Sequence, residues 1–271
     1  MPKMYHYIIA TIVLSALLSI GCEENPPQIT PCQTDRVVLV EEFTGVHCSG
    51  CPKGHQKIKE LQAQYPNKII PIALHAGYLA RPHNGWDFRI AEGVEIHSWS
   101  KPLGEPSINV NRQYFADKGV YGIIYPNTWA GPIAEEMCLP PDASIELTPT
   151  FDVGTRALSV TVDVAPVNAV KMKENVAISV VITENNVIAP QLTDSGWENS
   201  YTHNHMARAF LTDTWGTKIQ EKGAVLAPYR ETYTYTLPTG WDENNCHIVA
   251  FVHYQGDERY ILQATEEALI P

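Results

Sequence analysis

The sequence predicts an α/β domain followed by an all-β domain, and three observations carry that prediction. In the first half, short apolar runs alternate with helical stretches, the pattern of a sheet with helices on its faces. From Ala143 onward single apolar residues alternate with polar ones, and no helical period interrupts them. The chain's 271 residues suffice for two domains of ordinary size. The expected organisation is a targeting segment over 1–21, a tether over 22–35, an α/β domain over 36–140 and a β-sandwich over 141–271.

The targeting segment comes first. Lys3 gives a weak positive start, Ile8 to Ile20 is a short apolar run, and Gly21-Cys22 ends it. The run suits a signal-peptide core better than a membrane-spanning helix. Leu17-Leu18-Ser19-Ile20-Gly21-Cys22 resembles a bacterial lipoprotein signal, with Ser19 where Leu is usual. The resemblance implies that Cys22 is lipidated and holds the chain at a membrane through an N-terminal lipid anchor. The alternative is an ordinary cleaved signal with an incidental cysteine. Glu23-Glu24-Asn25-Pro26-Pro27-Gln28 reads as an extended acidic spacer. A net charge of −11 and the absence of any basic stripe argue against nucleic acid as a partner.

In the α/β domain, Val37-Val38-Leu39-Val40 predicts a buried strand and Pro52 to Tyr65 a helix, with Pro52 near its first turn. Between them lies Cys48-Ser49-Gly50-Cys51. A cysteine at a helix N-terminus has its thiolate stabilised by unpaired N–H groups, and a thiolate is what attacks disulfides. Cys48 is thus the candidate nucleophile and Cys51 its resolving partner. A structural disulfide and half of a zinc site, with His55 nearby, are the alternatives. Haem attachment is excluded because Pro52, not His, follows Cys51, and no cofactor is called for. Lys68 to Leu74 predicts a second strand. An irregular helical stretch follows over Asp87 to Trp99, then Gly104 to Val110, a strand over Val120 to Ile124 and a helix over Thr128 to Met137. Cys32, Cys138 and Cys246 remain, an odd number, so at least one is free or pairs between chains. Cys32 and Cys138 flank the domain and could staple it.

With these residues in view, Arg36 to Cys138 resembles a thioredoxin-fold domain. The resemblance implies that Cys48 and Cys51 are the redox pair and that Pro106 is the proline facing it in cis, followed by Ser107. It also implies that Glu42 is the buried acid, which would take the Cys51 proton; a solvated strand-end carboxylate is the alternative. The proline would expose the Glu105 backbone to an extended partner segment. His47 precedes the first cysteine where an aromatic residue is common; protonated it favours the Cys48 thiolate, and neutral it does little. Glu105 as a carboxylate pushes the other way, and predicts a reducing dithiol.

In the second half, Ile145 to Val153 and Leu158 to Val164 flank a Gly154-Thr155-Arg156 turn and read as a hairpin. Val176 to Ile182, Thr232 to Leu237 and His247 to Tyr254 add strands, and an antiparallel immunoglobulin-like sandwich accommodates them. Asn185 to Gly216 reads as a long loop. It contains Tyr201-Thr202-His203-Asn204-His205 with Arg208 and Trp215-Gly216 downstream. These features resemble the outer membrane protein 28 family from Arg36 to the C-terminus, which implies an exported lipoprotein of the cell envelope, periplasmic or surface-facing, with no established substrate. His203 and His205 could begin a metal site, but no third ligand is near, and histidines held within a structured loop are the preferred reading. They join His47 and Glu105 as candidates for partner contact. Trp197, Trp215, Trp241, Tyr233 and Tyr235 could form a binding face or pack a core.

The functional expectation is thiol–disulfide exchange with exported protein disulfides or thiols. The alternative is a non-enzymatic binding protein that uses the same fold as a scaffold. On the loop reading of His203 and His205, protein purified without a histidine tag should carry no stoichiometric zinc or copper by elemental analysis.

Overall fold

The computed structural model describes residues 34–116 and 119–270. The signal core, Cys22, Cys32 and all of the 22–35 tether before Thr34 lie outside the described residues. Strand β1 (Val38–Thr44) is buried at every position and runs past the expected end at Val40. Glu41-Glu42 looks like the wet end of a strand, yet the two residues are 1% and 3% exposed. Alternation sends their side chains to opposite faces of the sheet. Val38 and Val40 pack with Ile58, Leu61, Trp129 and Ile133 on the Glu42 face. Leu39 and Phe43 pack with Ile72, Val181 and Phe251 on the other.

Helix α1 (Cys51–Gln64) carries Pro52 in its first turn. Strand β2 (Ile69–His75) lies parallel to β1, from Val38 opposite Ile69 to Thr44 opposite His75. Helix α2 (Ala91–Ser100) and strand β3 (Ser107–Val110) follow, β3 antiparallel to β1. Helix α3 (Ala130–Met137) completes this half. The strand expected over Val120 to Ile124 supplies only isolated bridges, Phe115 to Val120 and Ile108 to Ile123.

The second half opens with the expected hairpin of β4 (Ala143–Asp152) and β5 (Ala157–Pro166). Strand β6 (Val176–Glu184) is next and is buried throughout. The segment over 185–216, expected as a loop, is instead strand-rich: β7 (Val187–Thr193) pairs with β8 (Gly196–His203), and β9 (Met206–Phe210) follows. Much of β8 is solvent-facing, and a register shift between Ala189 and Gln191 spans Pro190. Polar faces and a bulge erase the period-2 signal that marks a strand in sequence. Strands β10 (Thr217–Gln220), β11 (Tyr229–Thr236), β12 (Cys246–Tyr254) and β13 (Ile261–Ala268) complete the chain.

The architecture is mixed α/β with strands predominant. A large sheet runs β13-β12-β6-β9-β2-β1-β3, with β10 also on β6, and a three-stranded sheet runs β11-β5-β4. Val160 and Val162 of the small sheet meet Val180, Ile182, Ile248 and Ala250 of the large one in a shared core. Strand β6 is thus covered on both faces, which is why its sequence is almost continuously apolar. Strand β9 pairs with β6 and touches β2 where Ala73 faces Met206. Hydrogen-bonded sheet therefore continues across position 140, and both sides belong to one compact unit.

Buried polar ties lock the halves together. Arg36, 1% exposed, reaches Glu136 at 3.3 Å and donates to the Ile261 carbonyl at 2.6 Å. Glu41 receives Arg112 through Nε at 3.0 Å and through Nη2 at 2.5 Å, and the guanidinium lies over Phe251 and Trp215. Removing one partner of such a pair strands a charge out of water. Arg112→Ala should cost about 3–5 kcal/mol in urea unfolding, and adding Glu41→Leu to it should recover a large part of that loss.

Candidate active site around the Cys48–Cys51 disulfide

The dithiol segment follows β1 through Gly45-Val46-His47 and closes a tight turn, with Cys48 N–H bonded to the Gly45 carbonyl and Cys51 N–H to the Cys48 carbonyl. The two cysteines form a disulfide with an S–S distance of 2.10 Å and a Cα separation of 5.3 Å. The helix starts at Cys51, behind an N-cap at Gly50, so Cys48 lies just ahead of the helix rather than in its first turn. Cys48 is 2% exposed and Cys51 fully buried. Of the other cysteines, Cys246 is free and buried, and burial raises its thiol pKa to about 12; Cys138 is disulfide-bonded.

Pro106 is brought to this turn, and Glu42 to the first turns of the helix that follows it. The Glu105–Pro106 bond is cis. A methyl group built on Gly54 would stand 2.9 Å from Pro106 Cβ, 3.0 Å from Glu42 Oε1 and 3.1 Å from Trp129. Only a residue with no side chain lets α1 approach this closely. Gly50 is the next contact, its built methyl 3.5 Å from Pro106 Cδ. Glu42 is therefore not a solvated strand-end carboxylate: it lies beneath α1, and burial raises its pKa to about 8. The Oε1 atom has no hydrogen-bond partner and lies 3.7 Å from His55 Nε2.

His55 connects this carboxyl to the second half of the chain. Its Nε2 is 3.0 Å from the Thr44 hydroxyl and its Nδ1 2.7 Å from the Tyr201 hydroxyl on β8. Burial lowers its pKa to about 3, with His203 and His205 adding to the effect, and Tyr201 is raised to about 12 by burial. A cavity of about 770 Å³ opens between α1 and β8, lined by Glu42, His55, Tyr201, His205 and the amides Asn185, Asn186 and Gln62.

The remaining predicted residues are placed as follows. His47 packs edge-on to His83 and Trp197, and burial lowers its pKa, so it is neutral at pH 7 and lends Cys48 no positive charge. The Glu105 carboxyl is turned to His97 Nε2 at 3.0 Å, beside Gly77. His203 ends β8 and packs on His75, Phe88 and Tyr201. His205 occupies the following turn with φ 54°, and its carbonyl accepts the Ala73 N–H at 2.7 Å. Among the described residues no group of three His, Cys, Asp or Glu side chains could hold a metal ion. The tryptophans do not share a face: Trp197 stacks on His83, Trp215 lies under Arg259, and Trp241 lies on Tyr235 and Arg208.

Sequence reasoning missed Gln191. It is fully buried on β7, and its amide nitrogen reaches the carbonyls of Cys48 at 2.9 Å, Leu192 at 3.0 Å and Gly45 at 3.3 Å. The adjacent Leu192 N–H donates to the Val46 carbonyl at 2.8 Å. No signal in the sequence marks a glutamine inside a loop-like stretch as a contact to a dithiol 143 residues earlier.

A family model described as Outer membrane protein Omp28 matches residues 98–270. The match includes Pro106, Gln191 and Tyr201 but not the dithiol. No curated protein matches. Among solved structures, HBP35 of Porphyromonas gingivalis is similar with a TM-score of 0.68 at 18% identity, covering 88% of this chain and 76% of that one. A protein from Agrobacterium tumefaciens has a TM-score of 0.53 at 13% identity, covering 87% and 96%. At these identities the likeness is one of fold. No described helix is long and apolar enough to cross a membrane.

Glu42 dictates a pH dependence. The unfolded carboxyl releases its proton near pH 4.5 and the folded one near 8, so unfolding releases a proton between these values. Stability attributable to Glu42 is present below pH 4.5 and declines as pH rises to 8. Glu42→Gln lacks that decline. Measured against wild type by urea unfolding, the variant should gain a few kcal/mol between the two ends of that window.

Proposed function

We propose a thiol–disulfide exchange function, from the premise that this chain belongs to the Omp28 family of outer membrane proteins. The observation that carries the reading is the gathering of a Cys48–Cys51 disulfide, Pro106 and a buried Glu42 at the start of one helix. In this reading the first half is a thioredoxin-like domain, supported by β1-α1-β2 with β3 antiparallel to β1. The second half is an immunoglobulin-like sandwich, supported by the two facing sheets and their shared core. A lipid on Cys22 holds the protein at the outer membrane, and its partners are exported proteins that carry disulfides or thiols.

The chemistry balances within these groups. In the reduced protein the Cys48 thiolate attacks a partner disulfide, forms a mixed disulfide and displaces one partner thiolate, which takes a proton from water. Glu42 first releases its own proton to water, then takes the Cys51 proton as Cys51 attacks the Cys48 sulfur. The second partner thiolate leaves, and the protein returns to the disulfide form, having passed two electrons to the partner. In that form Glu42 holds a proton at pH 7. It returns it to the Cys51 thiolate when an external dithiol reduces the pair.

The burial of Cys48 favours a second reading, an inert disulfide in a binding scaffold. A trapping experiment separates the two. Cys51→Ser should capture exported partners as mixed disulfides through Cys48, resolved by dithiothreitol on non-reducing gels, and Cys48→Ala/Cys51→Ser should capture none. No capture, together with a wild-type pair that fails to equilibrate with glutathione, would establish the scaffold.

A further inference from the structure

The Cys48–Cys51 pair lies beneath the β7–β8 hairpin, and three kinds of contact hold that hairpin down. The first is buried and main-chain directed. The Gln191 amide reaches the Cys48 and Gly45 carbonyls, while Leu192 N–H meets the Val46 carbonyl. All three neighbours of the Gln191 nitrogen are carbonyl oxygens, so the nitrogen is fixed as the donor end. The second is at the hairpin tip, where Asp194 meets Lys53 of α1 at 2.7 Å, both side chains more than half exposed. The third is a ring stack, Trp197 on His83 at 3.6 Å with His47 edge-on to both.

Exchange requires an attacking group to reach a sulfur along the S–S axis. Cys48 is 2% exposed, so that approach is closed in this conformation, in which the hairpin is held on the main chain of the same turn. The exposed ion pair is screened by water and salt and contributes little. The Gln191 contact is shielded from water, so it is the strongest of the three holds. It has a second consequence. The Cys48 carbonyl also accepts the Cys51 N–H at 3.2 Å, so the Gln191 amide fixes the peptide that spaces the two cysteines.

We propose that Gln191 is a positioning residue of the dithiol site, and that the hairpin it latches decides which thiols and disulfides reach Cys48. The proposal deepens the exchange reading. The hairpin admits small or extended, unfolded partners on opening, and excludes compact folded surfaces when seated.

The test uses the full chain and a small water-soluble phosphine. The phosphine attacks one sulfur, the S–S bond breaks, and water converts the product to phosphine oxide and two thiols. This needs access to the disulfide and no redox activity of the protein. Gln191→Met keeps the volume and removes the donor. It should raise the phosphine reduction rate on the order of tenfold, the factor that one net hydrogen bond to the closed state represents. Asp194→Lys leaves Gln191 intact and faces Lys53 with a like charge. It should raise the rate at low salt and return to the wild-type rate at 1 M salt (where the Debye length is about 3 Å). Both variants are first checked for an unchanged far-ultraviolet spectrum and cooperative unfolding; if Gln191→Met fails this check, Gln191→Asn, which stays polar but draws the donor back from the Cys48 carbonyl, takes its place. Wild-type rates in the folded variants would overturn the proposal. Glutathione equilibration of the wild type is run in parallel. Its failure removes the exchange reading but leaves the phosphine comparison to judge the latch.

Discussion

Two adjacent glutamates inside a fully buried strand impose the constraint around which this structure is organised. A carboxylate out of water must be paired or must keep its proton. Strand β1 uses both solutions, one on each face. Glu41 meets Arg112, which in turn lies against Trp215 and Phe251 of the second half, so solvation of one carboxylate fastens the two halves of the sheet. Glu42 has no such partner and keeps its proton to about pH 8, beneath the helix that carries Cys51. The same alternation that divides a hydrophobic core into two layers thus divides a structural ion pair from a candidate proton carrier.

The second consequence of the shared sheet is that the candidate site is not the property of the first half. Strand β9 joins β6 to β2, and this fixes the preceding hairpin over the dithiol turn and over His55. The family match begins at residue 98 and so lies beyond the cysteines, yet it contains Pro106, Gln191 and Tyr201, three of the residues that surround them. Any chemistry at the disulfide is therefore conducted inside a surround to which the matched region contributes.

How much of this was legible in the sequence depends on how locally each feature is encoded. The helix at Pro52 and the hairpin at Gly154-Thr155-Arg156 follow from turn chemistry and periodicity within a few residues, and they stand where expected. Local pattern ends strand β1 four residues short because charge on Glu41 and Glu42 outweighs their burial in any local scale, and the compensating Arg112 is 71 residues away. The β7–β8 hairpin looks like loop in sequence because its outer face is polar and Pro190 interrupts its register. Cys48, Cys51, Glu42 and Pro106 could be nominated by spacing and resemblance. Gln191, His55 and Tyr201 could not be joined to them, since long-range contacts leave no periodic trace. His203 shows the converse: it shares a short motif with His205, but the fold turns it toward His75 and Phe88.

The electrostatic surroundings of the disulfide are quiet, and this narrows what can tune it. His47 and His55 are neutral at pH 7 because burial lowers both, and Glu42 is neutral because burial raises it. The Glu105 carboxyl is engaged by His97 rather than left facing the sulfurs alone. With side-chain charge removed, what remains to stabilise a Cys48 thiolate is the backbone: the open N–H groups at the start of α1 and the peptide held by Gln191. A site tuned by main-chain dipoles responds to geometry more than to pH or salt. On that argument the seating of the β7–β8 hairpin, which sets the geometry of this turn, is the principal control on the reactivity of the pair, and the acidic character of the chain as a whole has little influence on it.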